Sequence, residues 1–226
     1  MSLTKSRGNM YDWCTHMHTH LGGQCPHRCV YCSTTDIGRR FRIKKYTGPL
    51  HLIEKELRVN YGNSKTIFIE HCTDLFAKEV PNEFIDRIIH HCKEFPNNTY
   101  VFQSKNPSRF LEWSFPKGRV LGTTIETNRN TPEISKAPRP RERAEAMIGI
   151  TGRKFITIEP VLDFDVDILA GWIAEIRPEF LNLGADSKGH GLPEPTVEKI
   201  QQLTDKLHEY GIELREKHNL ARLKPK

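Results

Sequence analysis

Three thiols fall within eight residues near the start of the chain, in Gln24-Cys25-Pro26-His27-Arg28-Cys29-Val30-Tyr31-Cys32. Three residues separate Cys25 from Cys29, and two separate Cys29 from Cys32. Iron–sulfur clusters are held by thiolates at short spacings, usually four of them. Three on one loop can take three corners of such a cluster and leave one iron open to a substrate or cofactor, as a catalytic zinc keeps an open position. The competing chemistry is a zinc knuckle with His27, His20 or His18 as fourth ligand. Zinc sites more often show a second C-x2-C or a C…H-x3-5-H partner, and no second pair of that kind stands in this chain.

The chain has 226 residues, a length that predicts one domain over 1–226. Its 34 basic and 28 acidic side chains leave a net charge of +6, a mild bias toward anionic partners. No apolar run approaches the roughly 18–20 residues needed to span a membrane. Residues 1–10 are polar and lack the apolar core of a signal peptide, so the expected location is cytoplasmic. Six cysteines could form disulfides, but half of them cluster in the one loop, and reduced, metal-binding thiols fit better. Cys14, Cys72 and Cys92 are then free, with Cys92 packing within a helix.

The elements that must position the thiols follow from hydrophobic patterning. Strands are expected at residues 12–20, 65–70, 99–104, 119–126, 154–159 and 179–183, with a short last strand at 212–215. Helices are expected at 50–60, 82–94, 107–113, 141–148, 166–176 and 196–210, the last stopped by Gly211. This alternation predicts parallel βα units with right-handed crossovers. Pattern alone leaves open an incomplete barrel or a doubly wound open sheet. Residues 128–143 and 185–195 read as long loops.

In βα architectures the chemistry gathers at the carboxyl ends of the strands. Polar groups stand at five such ends: Glu70-His71-Cys72-Thr73-Asp74, Ser104-Lys105-Asn106, Thr123-Thr124-Ile125-Glu126-Thr127-Asn128, Glu159-Pro160 and Gly184-Ala185-Asp186-Ser187. Polar residues end any strand before a loop, but five coinciding with a thiol loop predict a shared cavity.

The C-x3-C-x2-C pattern, with Tyr31 before its last cysteine, resembles the signature of the radical S-adenosylmethionine superfamily. Further on, Cys-Thr-Asp-Leu-Phe, Gln-Ser-Lys-Asn-Pro, Gly-Thr-Thr-Ile-Glu-Thr-Asn and Ile-Glu-Pro-Val-Leu are similar, in that order, to a small branch of the superfamily found in phages and bacteria. Spore photoproduct lyase is a more distant relative by resemblance. The resemblance implies an α/β fold, a partial (β/α)6 TIM-like barrel, with the cysteine loop after the first strand. It implies a 4Fe-4S cluster on Cys25, Cys29 and Cys32, with S-adenosylmethionine chelating the fourth iron. Cleavage would give methionine and a 5′-deoxyadenosyl radical that abstracts hydrogen from a substrate. Tyr31 carries over as an adenine neighbour. A Gly-Gly-Glu-like segment after the second strand receives the amino group of S-adenosylmethionine in the superfamily; here Ile69-Glu70-His71-Cys72 has no glycine pair, and contact through backbone or Glu70 takes its place. Thr124 and Glu126, two apart on one strand face, are the candidates for ribose and carboxylate. An external one-electron reductant of flavodoxin or ferredoxin type is implied as partner.

Three features bear on substrate. His16, His18 and His20 share one face of an extended strand, which suits a barrel lumen, a second metal or a plain polar face. Arg39-Arg40-Phe41-Arg42-Ile43-Lys44-Lys45, with four more cations between Lys136 and Arg143, reads as loops at the site mouth and suits phosphates, hence a nucleotide or nucleic-acid base; a solvated basic surface is the other reading. Cys72 is a candidate catalytic hydrogen donor, or a buried inert thiol. The alternatives for function are action on a peptide or small metabolite, and a non-catalytic metal-dependent nucleic-acid-binding protein.

Overall fold

The computed structural model describes residues 3–6 and 10–224, with Arg39 and Lys44 described by backbone alone. The expected polar start at residues 1–10 is therefore only partly within the described residues, and the side chains of Arg39 and Lys44 in the expected basic patch lie outside them.

The strands are β1 (Thr4–Lys5), β2 (His16–His18), β3 (Leu21–Gly22), β4 (His51–Leu52), β5 (Thr66–Ile69), β6 (Thr99–Gln103), β7 (Arg119–Thr124), β8 (Lys154–Ile158), β9 (Phe180–Leu183) and β10 (Glu213–Glu216). The helices are α1 (Ser33–Arg40), α2 (Asn82–Lys93), α3 (Pro140–Gly149), α4 (Val166–Ile176) and α5 (Val197–Glu209). One sheet runs in the order β1-β2-β5-β6-β7-β8-β9-β10, and β3 pairs only with β4. From β2 to β10 every neighbour in the large sheet is parallel; β1 alone is antiparallel. With β1 and β10 at opposite edges, the sheet is open. The fold is α/β with a mostly parallel sheet.

The strands carry β-branched and aromatic residues, and β8 (KFITI) is buried throughout, as a strand in a covered parallel sheet must be. Successive side chains serve opposite faces. Ile67, Ile69, Tyr100, Phe102, Leu121, Ile156 and Leu181 meet the helices, where Ile85, Ile88, Ile89 and Cys92 of α2 and Ile200, Leu203 and Leu207 of α5 form the inward stripes. Phe68, Val101, Val120, Phe155 and Phe180 face the other way and pack on Tyr11, Trp13 and Cys14. Trp13 lies edge-on to Phe155 and Phe180, at centroid distances of 5.3 and 5.0 Å. Helices α2 to α5 therefore cover one face, and the segment around Tyr11–Cys14 plugs the base of the other. Gly122 is held to glycine by the neighbouring strand: a Cβ there would lie 2.2 Å from the Phe155 ring of β8.

Three expectations differ. Residues 50–60 form no α-helix; they hold β4 and a 3-10 helix at Glu54–Arg58. The Ile53 amide donates to His20 O at 2.7 Å, which commits the segment to the β3 edge before a helical turn can propagate. The basic run after the thiol loop is not all loop, since α1 extends to Arg40. The first long strand is shorter than residues 12–20, because the chain turns at Asp12–Trp13 to build the plug. No helix among the described residues is long and apolar enough to cross a membrane.

Candidate active site

The thiol loop connects β3 to α1. Gly23, at φ 99°, starts it where a Cβ would meet the Pro49 carbonyl oxygen at 2.3 Å, so only glycine passes. The loop then coils tightly, with the Cys32 amide donating to Cys29 O at 3.1 Å. Cys25, His27, Cys29, Tyr31 and Cys32 line a cavity of about 760 Å³, while Arg28 and Val30 face solvent. The same cavity is lined by Glu70 to Asp74 after β5, Gln103 to Lys105 at β6, Thr124 at β7, Glu159 and Pro160 after β8, and Ala185 to Lys188 after β9. All five polar strand ends thus meet the three thiols in one space.

The candidate fourth zinc ligands are bonded to other partners. His27 Nε2 is 2.8 Å from Asp74 Oδ2. His20 Nδ1 is 2.6 Å from Glu70 Oε1 and its Nε2 is 2.8 Å from the Tyr61 hydroxyl. His18 Nε2 is 3.2 Å from Glu56 O, and burial pushes its imidazole down to about 3, so it is neutral. Among the described residues no three His, Cys, Asp or Glu side chains converge on one point as a single metal ion requires. The lumen and second-metal readings of His16, His18 and His20 find no support among the described residues. None lines the cavity; His18 and His20 pack against Tyr61 and His20 against His91, and His16 bonds Thr15. A donor set of three thiols on one loop, facing a cavity where His27 and Asp74 are bonded to each other, suits a cluster with one open iron.

Asp74 ties the loop to the sheet. Besides His27, its carboxylate accepts from Ser104 Oγ at 2.7 Å and from the amides of Lys105 and Phe76 at 2.7 and 2.9 Å. Burial alone would push this carboxyl up, but His27 and these donors outweigh it and hold it below the usual range.

Tyr31 leads to a second knot. Its hydroxyl donates to Glu126 Oε1, to which Lys105 Nζ also donates; Lys105 Nζ is 2.8 Å from the Tyr31 hydroxyl. Arg143 Nη1 donates to Glu126 Oε2 and to Thr124 O, each at 2.7 Å. Burial opposes ionisation of Glu126, yet Lys105 and Arg143 hold its carboxyl far below the usual range. Glu126 is buried off the cavity wall, with Tyr31, Lys105 and Thr124 on it. Thr124 Oγ1 accepts from Gln103 Nε2 at 2.8 Å. Arg143, counted in sequence with the basic patch, is 3% exposed and belongs to this knot; Lys136, Arg139 and Arg141 remain at the surface.

Glu70 sits at φ 63°, a left-handed conformation that costs a non-glycine residue. Its carboxylate accepts from the amides of His20 at 2.6 Å and Leu21 at 3.2 Å, which holds the turn. Cys72 lines the cavity, with His71 Nε2 3.1 Å from its sulfur. Burial pushes its thiol up, so it stays protonated at neutral pH.

The cavity mouth contains groups that sequence reasoning missed. His190 Nδ1 is 2.7 Å from Asp186 Oδ1 and its Nε2 is 3.3 Å from Asp36 Oδ2 on α1. Lys188 Nζ reaches the same Asp36 oxygen at 3.4 Å. These contacts latch the helix after the thiol loop to the loop after β9. Beyond β8, Glu159 accepts from Lys217 Nζ at 2.7 Å and Asn219 Nδ2 at 2.9 Å.

Residues 12–176 match the family described as "Protein of unknown function (DUF5131)". The chain belongs to that family. No curated protein matches the sequence. Among solved structures, this DUF5131 chain is similar to a spore photoproduct lyase mutant with bound AdoMet and dinucleoside spore photoproduct, with a TM-score of 0.60 and 8% identity over 95% of this chain and 80% of that one. It is similar to Streptococcus suis SuiB bound to precursor peptide SuiA, with a TM-score of 0.57 and 11% identity over 90% of this chain. SuiB bound to S-adenosylmethionine gives 0.55 and 12% over 88%. The DUF5131 chain spans about half of SuiB, 49% and 46% in the two structures. At these identities the likeness establishes a shared fold.

Proposed function

We propose that this protein is a radical S-adenosylmethionine enzyme, one domain whose open sheet curves into a partial (β/α)6 barrel. The observation that carries this is the convergence of Cys25, Cys29 and Cys32 with the five strand ends on one cavity. The placement of α2 to α5 on one face supports a barrel over a doubly wound sheet, which carries such layers on both faces. The likeness to structures holding AdoMet or S-adenosylmethionine supports the cofactor.

Cys25, Cys29 and Cys32 would hold a 4Fe-4S cluster, which when bound would supply the electron for reductive cleavage of S-adenosylmethionine to methionine and a 5′-deoxyadenosyl radical. Tyr31 gives the adenine a ring face, fixed by its hydroxyl on Glu126. Thr124 offers a hydroxyl to the ribose or carboxylate. Glu126 acts one step removed, by fixing Tyr31 and Lys105. Glu70 presents the turn that replaces the superfamily's glycine pair, since its carboxylate is already committed to His20 and Leu21. The protonated thiol of Cys72 can return a hydrogen atom to a substrate radical; the thiyl radical left behind takes one electron from the external reductant, of flavodoxin or ferredoxin type, and one proton from water. The substrate we favour is a nucleotide or nucleic-acid base, from the exposed cations Arg40, Arg42, Lys136 and Arg139 and from the dinucleoside in the lyase structure. Incubation of the reconstituted, reduced protein with S-adenosylmethionine and DNA or RNA tests this: nucleic acid that raises 5′-deoxyadenosine yield supports the substrate class, and a yield indifferent to nucleic acid and raised by peptide overturns it.

A further inference from the structure

Ser135 lies 106 positions from Cys29, in the loop between β7 and α3, yet its Oγ stands 3.1 Å from the Cys29 sulfur. The approach is built by backbone. The Val30 amide donates to Ile134 O at 2.9 Å, and the Lys136 amide donates to His27 O at 2.8 Å. Residues 134–136 thus run along the thiol loop as a second strand would, with Ser135 opposite Cys29. The Ala137 amide donates to Ser135 Oγ at 3.2 Å, which leaves the hydroxyl proton free to be given elsewhere. It has two acceptors: His27 O at 3.4 Å and the Cys29 sulfur at 3.1 Å.

We propose that Ser135 is a positioning residue that donates its hydroxyl proton to the Cys29 thiolate and thereby tunes the metal group that the thiol loop holds. This rests on the cluster reading of the loop. A thiol at Cys29 can itself donate to Ser135 Oγ, whose proton then goes to His27 O. A metal-bound thiolate can only accept, and the hydroxyl turns toward it. The Ala137 N–H, the Ser135 O–H and the thiolate then form a chain in which each bond polarises the next. A hydrogen bond to a cluster sulfur stabilises the more negative, reduced state and raises the reduction potential. Ser135 would therefore ease entry of the electron, and fix the Cys29 rotamer at one corner of the cluster.

The test is an anaerobic redox titration, followed by electron paramagnetic resonance, of the reconstituted wild-type chain and of Ser135→Ala and Ser135→Thr. The expected result is a potential shifted to more negative values in S135A at unchanged iron content, with S135T, which keeps the hydroxyl, near wild type. An alanine variant that loads no cluster while the threonine variant loads one at the wild-type potential also upholds the role of the hydroxyl. Equal potentials in S135A and wild type overturn the inference and leave the cluster reading standing, as does a threonine variant that shifts as far as alanine. A wild-type chain that takes up no cluster overturns the cluster reading, and this inference with it.

Discussion

His27, in the middle of the thiol loop, is bonded through Nε2 to Asp74 Oδ2 at 2.8 Å, and both side chains are buried. The loop that would carry metal is therefore anchored on the end of the second parallel strand, and through Asp74 on Ser104 and Lys105 of the next. Asp74→Asn keeps the shape and removes the charge and one acceptor. We expect it to lower unfolding free energy by roughly 2 kcal/mol, the scale of a charge-assisted hydrogen bond, measured by urea titration, and to reduce iron uptake per chain. The pH sign follows from the depressed carboxyl of Asp74. Its contribution is complete above the unfolded carboxyl value of about 3.9 and is lost as pH falls through the lower folded value. Acid unfolding of the wild type should show a loss in that window, and the Asn variant should not.

The Glu126 knot predicts a larger effect. Glu126→Ala leaves the buried Arg143 and the mostly buried Lys105 without their carboxylate. Removing one partner of a buried pair costs about 3–5 kcal/mol. Denaturant unfolding should show a loss on this scale, while Glu126→Gln, which can still accept from Tyr31, should lose less. A loss below 1 kcal/mol in the alanine variant would place the carboxylate at the surface.

These two knots show how much of the site was open to reading from sequence. The thiol spacing is local, so Cys25, Cys29 and Cys32 could be found without a fold. Apolar runs located the strands from residue 65 onward and hence their ends. The pairings of Cys29 with Ser135, Asp36 with His190 and His27 with Asp74 join residues 106, 154 and 47 positions apart, and no periodicity encodes them. Arg143 was misread because a cation in a run of cations looks solvated until its partner, Glu126, is placed. The segment at 50–60 was misread because its apolar spacing suits a helix, while its backbone is claimed by β3.

The latch at the cavity mouth should respond to pH. The bond to Asp186, with a further one to Asp36, raises the imidazole of His190. A raised histidine holds its contribution fully below the unfolded value of about 6.5 and loses it as pH rises through the folded value. Hydrogen exchange of residues 186–194, corrected for intrinsic rate, should therefore quicken from pH 6 to pH 9. His190→Ala should exchange quickly at both. A wild-type segment with equal protection at both pH values would show that the latch does not hold the loop.

Cys72→Ala separates the thiol's two readings. If Cys72 returns a hydrogen atom to substrate, the variant should load iron and consume S-adenosylmethionine as the wild type does, but change the distribution of products found by mass spectrometry. The same products in the same ratio would make Cys72 a packing residue.

Reductive cleavage tests the role of the thiol loop most directly. The chain is reconstituted anaerobically with iron and sulfide, reduced in the presence of S-adenosylmethionine, and assayed for 5′-deoxyadenosine. The expected result is about four irons per chain, as a three-thiolate 4Fe-4S site requires, and formation of 5′-deoxyadenosine that Cys29→Ala abolishes. A loaded cluster that yields none under strong reductant, or a chain that binds only zinc, would contradict it.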